Sequence, residues 1–101
     1  MFKVLIADDE AMVREGLKTI INWETYGFSV CGEAGNGEEG LRLIEELQPQ
    51  LVIVDIKMPV MDGLEMIKLA LNKKSRPKFI ILSGCSDFKY AQKAFKLGVN
   101  A

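Results

Sequence analysis

The residues of this chain that could bind a metal ion or take part in a reaction lie at or near the ends of short apolar runs. Asp8 and Asp9 follow one such run, Asp55 stands near the end of a second, and Ser83 follows a third. Carboxylates that converge on one point repel each other, so their charged forms are stable together only when a cation compensates them. Hard oxygen ligands of this kind suit Mg²⁺, which keeps several waters and often binds substrate phosphates. The acids therefore predict a magnesium site.

A carboxylate, a divalent ion and a hydroxyl donor are together the parts of a phosphoryl-transfer site. In such a site a carboxylate acts as the nucleophile that accepts the phosphoryl group. We predict that Asp8, Asp9 and Asp55 are the metal ligands. We expect the Ser83 hydroxyl to donate a hydrogen bond to a phosphoryl oxygen.

The segment after Asp55 strengthens this prediction. The letters MPVMDG at 58–63 place Pro59 and Gly63 in a tight loop before the next predicted helix. Because a backbone oxygen can complete the coordination of Mg²⁺, we expect the loop to present the carbonyl of Lys57 to the metal.

A purely structural interpretation of the same residues stays open at this point. Asp8, Asp9 and Glu10 are acids of the kind that cap a helix and complement its dipole. Asp55 also fits a turn position, and a serine after a strand is common. The chemical interpretation therefore depends on whether the fold brings these side chains together.

Four apolar segments predict the strands that must position these residues. The runs 4–7, 51–56 and 79–82 are continuous, as expected for parallel strands covered on both faces. The segment 28–34 alternates between apolar and polar residues and suits a strand nearer an edge.

Apolar residues at helical spacing predict four helices between and after these strands. A β-α alternation of this kind indicates one α/β domain with a parallel sheet and right-handed crossovers, whose ligands bind beyond the carboxyl ends of the strands. The predicted stripes are Val13, Leu17, Ile20 and Ile21; Leu41, Ile44 and Leu47, with Pro49 past the helix end; Leu64, Ile67 and Leu71; and Ala91, Ala94, Phe95 and Gly98, with Ser86 or Asp87 as the N-cap.

Composition excludes several other classes of function. Lys and Arg number 13 against 14 Asp and Glu, so the chain has no basic excess for a nucleic-acid backbone. The absence of histidine excludes zinc sites that use His, His-based triads and phosphohistidine carriers. No apolar run approaches the roughly 18 residues that span a bilayer, so we expect no membrane partner. We expect Cys31 and Cys85, which form no CxxC pair, to be reduced thiols in a cytoplasmic protein.

In this order, the segments VLIADDE, LVIVDIKMPVMDG and FIILSG resemble the receiver domains of bacterial two-component response regulators over the whole chain. The resemblance implies a flavodoxin-like (CheY-like) three-layer α/β sandwich with strand order 2-1-3-4-5. It implies Mg²⁺ held by Asp8 and Asp9, phosphorylation of Asp55, a metal-binding carbonyl at Lys57 and a phosphoryl-binding hydroxyl at Ser83. It also implies a signalling domain that is no enzyme beyond its own phosphoryl transfer and autodephosphorylation.

A narrower resemblance, to receivers fused to AraC-type helix-turn-helix domains, is carried by INWETYGFSV and SGCSDFKYAQKAFKLGV. It implies a fragment of a longer transcription regulator, with DNA bound by a separate C-terminal domain. Because the chain has no histidine, the phosphohistidine donor, a sensor histidine kinase, is expected to be another protein.

The chain departs from the family pattern at its end. It stops at Ala101, before the family's fifth strand with its switch aromatic, the lysine after that strand, and the fifth helix. We therefore expect residues 1–101 to form one truncated receiver domain in which coupling of phosphorylation to output is in doubt. The run 79–82 would become an exposed edge strand, so we expect marginal stability and a homodimer or segment exchange through the fourth strand and helix.

The sequence allows four rival interpretations. The letters GNGEEG at 35–40 match a dinucleotide-binding pattern, but Glu38 and Glu39 would repel a pyrophosphate at the helix start. Aspartate-nucleophile phosphatases carry a D-x-D motif whose second acid is the general acid, whereas Lys57 stands two residues after Asp55 in this chain. A flavin mononucleotide site needs a Ser/Thr/Gly-rich loop where this chain has DDEAM. The alternative that stays open is a receiver-shaped interaction domain without phosphorylation.

Overall fold

The computed structural model describes residues 1–72 and 77–82. Within them, four strands alternate with three α-helices, and a short 3-10 helix, Trp23–Tyr26, precedes the second strand. The elements are β1 Phe2–Ala7, α1 Ala11–Ile20, β2 Phe28–Ala34, α2 Gly37–Leu47, β3 Leu51–Asp55, α3 Gly63–Leu71 and β4 Lys78–Leu82.

The described strands form one parallel sheet in the order β2-β1-β3-β4. This arrangement confirms the predicted flavodoxin-like α/β class and its 2-1-3-4 order. The chain passes from β1 to β2 on one side and then to β3 on the other, so the topological switch point lies between β1 and β3. Their carboxyl ends are the expected place for a ligand site.

The central strand β1 is buried on both faces, as its continuous apolar run predicts. Val4, Leu5, Ile6 and Ala7 are all fully buried, and successive side chains of a strand point to opposite faces. A cluster of buried residues packs one face of the sheet against α2 and α3. Its members include Leu5, Ala7, Ile44, Val52, Val54, Met66, Ile67, Ala70 and Phe79.

Helix α1 differs from its predicted apolar stripe. Val13 and Leu17 are half-buried as expected, but Ile20 is 84% exposed. Ile21 lies beyond the helix, because its backbone is extended there. The chain then enters the 3-10 helix, where the indole of Trp23 donates a hydrogen bond to the carbonyl of Leu17 at 3.0 Å. The prediction was therefore wrong for the last turn, where the chain leaves the helical path.

Helix α2 matches its predicted stripe. Ile44 is fully buried, and Leu41 and Leu47 are half-buried. Gln48 ends the helix in a left-handed conformation, with its amide donating to the carbonyl of Ile44 at 3.0 Å. Pro49 follows, as predicted, where a helix cannot continue.

Helix α3 also carries its predicted stripe, with Ile67 fully buried and Leu64 and Leu71 half-buried.

No described helix has the length and apolar character required to cross a membrane. The expected self-association through β4 stays a prediction. Outside the described residues lie the fourth predicted helix with Ala91, Ala94, Phe95 and Gly98, its N-cap candidates Ser86 and Asp87, and Cys85.

Candidate metal and phosphoryl-transfer site

Three predicted ligands meet at the carboxyl ends of β1 and β3. Asp8 directly follows β1 and Asp55 is the last residue of β3. Because β1 and β3 pair in parallel with Ala7 opposite Val54, the two acids emerge at the same edge of the sheet. One carboxylate oxygen from each of Asp8, Asp9 and Asp55 lies within 4.8 Å of the other two. The fold therefore brings the predicted acidic ligands into one group.

The burial of the three acids is graded. Asp8 is only 5% exposed, Asp55 is half-buried, and Asp9 is exposed. A group that opens to solvent on one side lets an ion keep part of its water, as Mg²⁺ does when it binds carboxylates and phosphates together. The donor set, all hard oxygens at short mutual distances, fits a divalent cation.

Electrostatics at the site disfavour the charged acids when no cation is bound. Burial raises the pKa of Asp55, and the negative charges of Asp8 and Asp9 raise it further. The amides of Ile56 and Lys57 act in the opposite direction, because they donate hydrogen bonds to the Asp55 carboxylate. These two amides also orient the carboxylate at the end of β3.

The pKa of Asp8 is also raised, chiefly by burial and then by the charges of Asp9 and Glu10. The amide of Glu10 opposes this rise by donating to Oδ1 of Asp8 at 2.8 Å. Like charges held close together in a partly desolvated place are the condition that a bound cation relieves.

The capping interpretation explains only part of the acidic run. Glu10 occupies the N-cap position of α1 and, among the described residues, its side chain makes no capping hydrogen bond. The bond from the Glu10 amide to Asp8 fixes the turn into the helix and leaves Asp9 unexplained. The convergence with Asp55 is what distinguishes these acids from an ordinary helix start.

The loop after Asp55 is the tight turn that the sequence predicts. The amide of Gly63 donates to the carbonyl of Ile56 at 2.7 Å, and the amide of Met61 donates to the carbonyl of Pro59 at 2.7 Å. Between them Val60 has a φ of 68°, which is strained for a β-branched residue. A Cβ on Gly63 would overlap the backbone oxygen of Asp55, so this position requires glycine.

The N-terminus of α2 holds this loop from the other side. The amide of Gly37 donates to the carbonyl of Met61 at 2.8 Å, and a Cβ on Gly37 would overlap that carbonyl. Asn36 caps the helix by accepting from the amide of Glu39 at 2.8 Å. Gly37 of the GNGEEG segment thus allows a close backbone contact within the fold, which counts against the dinucleotide interpretation.

The roles of all the predicted site residues remain predictions, and for two of them, Ser83 and Lys57, the position in the site does as well. Ser83 lies outside the described residues; it directly follows β4, whose last residue, Leu82, pairs with Asp55. Lys57 is exposed and lies two residues after the end of β3, and the metal-binding role of its carbonyl stays a prediction.

The sequence interpretation missed Arg14, which binds the backbone beside the acidic group. Its Nη1 donates to the carbonyl oxygen of Asp8 at 2.6 Å, and its Nε donates to Glu33 at 3.1 Å. The pattern of an amphipathic helix predicts that a basic residue lies on the solvent-exposed face, so the sequence did not indicate this contact.

Comparison with known proteins decides the family. The family model described as response regulator receiver domain matches residues 4–101. This chain belongs to that family. The receiver is 48% identical over 99 residues to an uncharacterized transcriptional regulatory protein, YesN, of Bacillus subtilis, covering 98% of this chain and 27% of YesN. It is 46% identical over 90 residues to the transcriptional regulatory protein HptR of Staphylococcus aureus, covering 89% of this chain and 35% of HptR.

Solved structures agree with this assignment. The receiver domain of AraT, a response regulator from Geobacillus stearothermophilus, superposes with a TM-score of 0.91 at 42% identity, covering 98% of this chain and 77% of that one. The response regulator domain of Thermotoga maritima CheB gives 0.87 at 31% identity, covering 98% and 74%. The predicted family and fold class are confirmed. The receiver spans about a quarter to a third of the length of the two transcriptional regulators.

Proposed function

We propose that this receiver domain accepts a phosphoryl group on Asp55, with Mg²⁺ at the acidic group, from the phosphohistidine of a sensor histidine kinase. The single observation that carries the proposal is the meeting of three carboxylate oxygens, from Asp8, Asp9 and Asp55, within 4.8 Å. Because these 101 residues contain no histidine, the proposed phosphohistidine donor lies outside them.

In this proposal Asp8, Asp9 and Asp55 hold the metal together with the carbonyl of Lys57. Bound Mg²⁺ supplies positive charge next to the phosphoryl oxygens, where negative charge has to be offset during transfer. The burial of Asp8 supports its role as a ligand, since a neighbouring cation stabilises the charged form of a carboxylate whose pKa burial has raised.

Asp55 is the nucleophile. One of its carboxylate oxygens forms a bond to phosphorus while the bond from phosphorus to the donor imidazole breaks, and that electron pair stays with the imidazole. The product is an acyl phosphate on Asp55. The amides of Ile56 and Lys57, which donate to this carboxylate, support its role by fixing its orientation.

Ser83 completes the proposed site as a hydroxyl donor to a phosphoryl oxygen. Attack of water on the acyl phosphate later releases inorganic phosphate and restores Asp55. This self-catalysed cycle makes the receiver a switch whose state depends on the supply of phosphoryl groups.

The proposed output is transcription. The support is that YesN and HptR, which both match this receiver along most of its length, are named as transcriptional regulatory proteins. In this proposal DNA binding belongs to a separate domain, since the receiver itself has a net charge of -1, and the resemblance of INWETYGFSV and SGCSDFKYAQKAFKLGV suggests that this domain is of AraC type.

The test is the intact mass of the chain after incubation with Mg²⁺ and a small acyl-phosphate donor. We expect a single phosphoryl gain in the wild type and none in Asp55→Asn. Asp62→Asn is the matched control, because it changes an aspartate in the same loop and keeps the side-chain acceptor that caps α3. No gain by a wild type whose circular dichroism shows it folded would favour the receiver-shaped interaction domain without phosphorylation.

A further inference from the structure

Arg14 links the ends of two strands to α1. Its side chain is 20% exposed. From α1, its Nε donates to Oε1 of Glu33 in β2 at 3.1 Å, and its Nη1 donates to the carbonyl of Asp8 after β1 at 2.6 Å. A guanidinium presents several N–H donors in a rigid plane, so one side chain can hold both partners at once.

Glu33 is itself fixed on a second side. Nζ of Lys18 lies 2.7 Å from Oε2 of Glu33, so each oxygen of this carboxylate contacts a different cation. Lys18 also pairs with Glu15 at 3.0 Å. These contacts lower the pKa of Glu33, Lys18 being the main cause, and keep the carboxylate charged where it anchors Arg14.

The backbone of Asp8 is held from two directions as a result. Its amide donates to the carbonyl of Ala34 at 2.9 Å, and its carbonyl accepts from Arg14 at 2.6 Å. That carbonyl belongs to the peptide unit that joins Asp8 to Asp9. Fixing this unit sets the directions in which the two neighbouring carboxylates leave the chain.

Arg14 brings a positive charge close to the acidic group without forming an ion pair with the carboxylate of Asp8. Its contact with Asp8 is to the backbone oxygen, while the carboxylate oxygen of Asp8 lies with those of Asp9 and Asp55. A guanidinium bound to the carboxylates would compete with a cation, whereas one bound to the backbone leaves them available.

We propose that Arg14 is a positioning residue that holds the peptide between Asp8 and Asp9 in the orientation required for Mg²⁺ binding. The inference rests on the proposed metal site. Without Arg14, mutual repulsion turns the carboxylates apart, and each binding event has to restore their arrangement. Groups that orient metal ligands typically change metal affinity about 10- to 100-fold when they are removed.

The experiment measures Mg²⁺ affinity of the unphosphorylated 101-residue chain by isothermal titration calorimetry. Arg14→Met removes every donor and keeps a long unbranched side chain with good helix propensity. Lys18→Met is the matched control, because it removes the other cation of Glu33 and leaves the contact with Asp8. We expect Arg14→Met to weaken Mg²⁺ binding about tenfold, and Lys18→Met to change it less than about twofold because its contact with Glu33 is not to a metal ligand.

A second readout separates positioning from general structural loss. In phosphorylation by a small acyl phosphate, Arg14→Met is expected to need about tenfold more Mg²⁺ for half-maximal rate and to reach the wild-type rate at saturation. A merely destabilised variant would lose the maximal rate in proportion to its unfolded fraction, which circular dichroism measures on the same samples.

The outcomes are distinct. Wild-type affinity in Arg14→Met, or equal weakening in Lys18→Met, overturns the inference and leaves the proposed function standing. Failure of the folded wild type to bind Mg²⁺ overturns both. If Arg14→Met does not fold, Arg14→Lys decides, because it keeps the charge but replaces the planar pair of nitrogens, Nε and Nη1, that reach Glu33 and the Asp8 carbonyl separately. Unchanged affinity in Arg14→Lys then overturns the inference.

Discussion

Replacement of Asp55 by asparagine is expected to stabilise the metal-free receiver. Asparagine keeps an oxygen that accepts from the amides of Ile56 and Lys57, and it removes one of three mutually repelling charges. Two unit charges 4.8 Å apart repel by about 3 kcal/mol at an effective dielectric constant of about 20. Because Asp9 is exposed and Asp55 only half-buried, solvent screening reduces this energy. We expect the free energy of unfolding to rise by about 1–2 kcal/mol.

Chemical denaturation in urea with a chelator present measures this difference. At neutral pH, the midpoint for Asp55→Asn should lie above that of the wild type with the slope unchanged. A high Mg²⁺ concentration should then stabilise the wild type more than the variant, because stabilisation by a ligand increases with the logarithm of its concentration divided by Kd.

The stability difference between the wild type and Asp55→Asn should also depend on pH. A carboxyl whose pKa is raised by folding contributes stability that is fully present below its ordinary value of 3.8 and is lost as pH rises through the folded value. The advantage of Asp55→Asn should therefore shrink as pH falls through the raised pKa of Asp55. A variant that is less stable than the wild type at neutral pH without metal would refute the electrostatic reasoning.

Three further predictions concern the framework of the site. Gly63→Ala should lower the free energy of unfolding by about 1–3 kcal/mol, because its Cβ would overlap the Asp55 carbonyl. Gly16→Ala, whose nearest neighbour would be 3.9 Å away within α1, should be neutral or stabilising in the same urea titration. Asp62→Ala should lower the free energy of unfolding by about 1 kcal/mol, because it removes the side chain that caps α3. A melting temperature equal to that of Asp62→Asn would contradict this. Glu33 has a lowered pKa, so its ion pairs contribute stability above its ordinary value of 4.5 that is lost as pH falls through the folded value. Glu33→Gln should flatten that part of an acid unfolding curve, and an unchanged curve would count against these pairs.

Local patterns predicted the sheet and the acidic group well. Continuous apolar runs predicted β1 and β3 because both faces of a central parallel strand are buried. Once the strands were placed, the meeting of Asp8 and Asp55 followed from a rule of topology, since parallel strand ends share one edge. Neither step required knowledge of side-chain packing.

Features that depend on tertiary contacts were not predictable in the same way. The exposure of Ile20 reflects where the chain leaves α1, and helical periodicity does not specify that point. The bond from Arg14 to the Asp8 carbonyl joins a helix to a strand end through geometry that residue type does not encode. The contact of Gly37 with Met61 likewise joins the start of α2 to a loop that is distant in sequence.

Mapping the phosphorylated residue tests the central claim most directly. The chain is incubated with Mg²⁺ and a small acyl-phosphate donor, reduced with borohydride to trap the acyl phosphate, digested, and sequenced by mass spectrometry. We expect modification at Asp55 alone, abolished by a chelator. Modification of Asp8 or Asp9 instead, or none in a folded sample, would contradict the assignment of Asp55 as the phosphoryl acceptor.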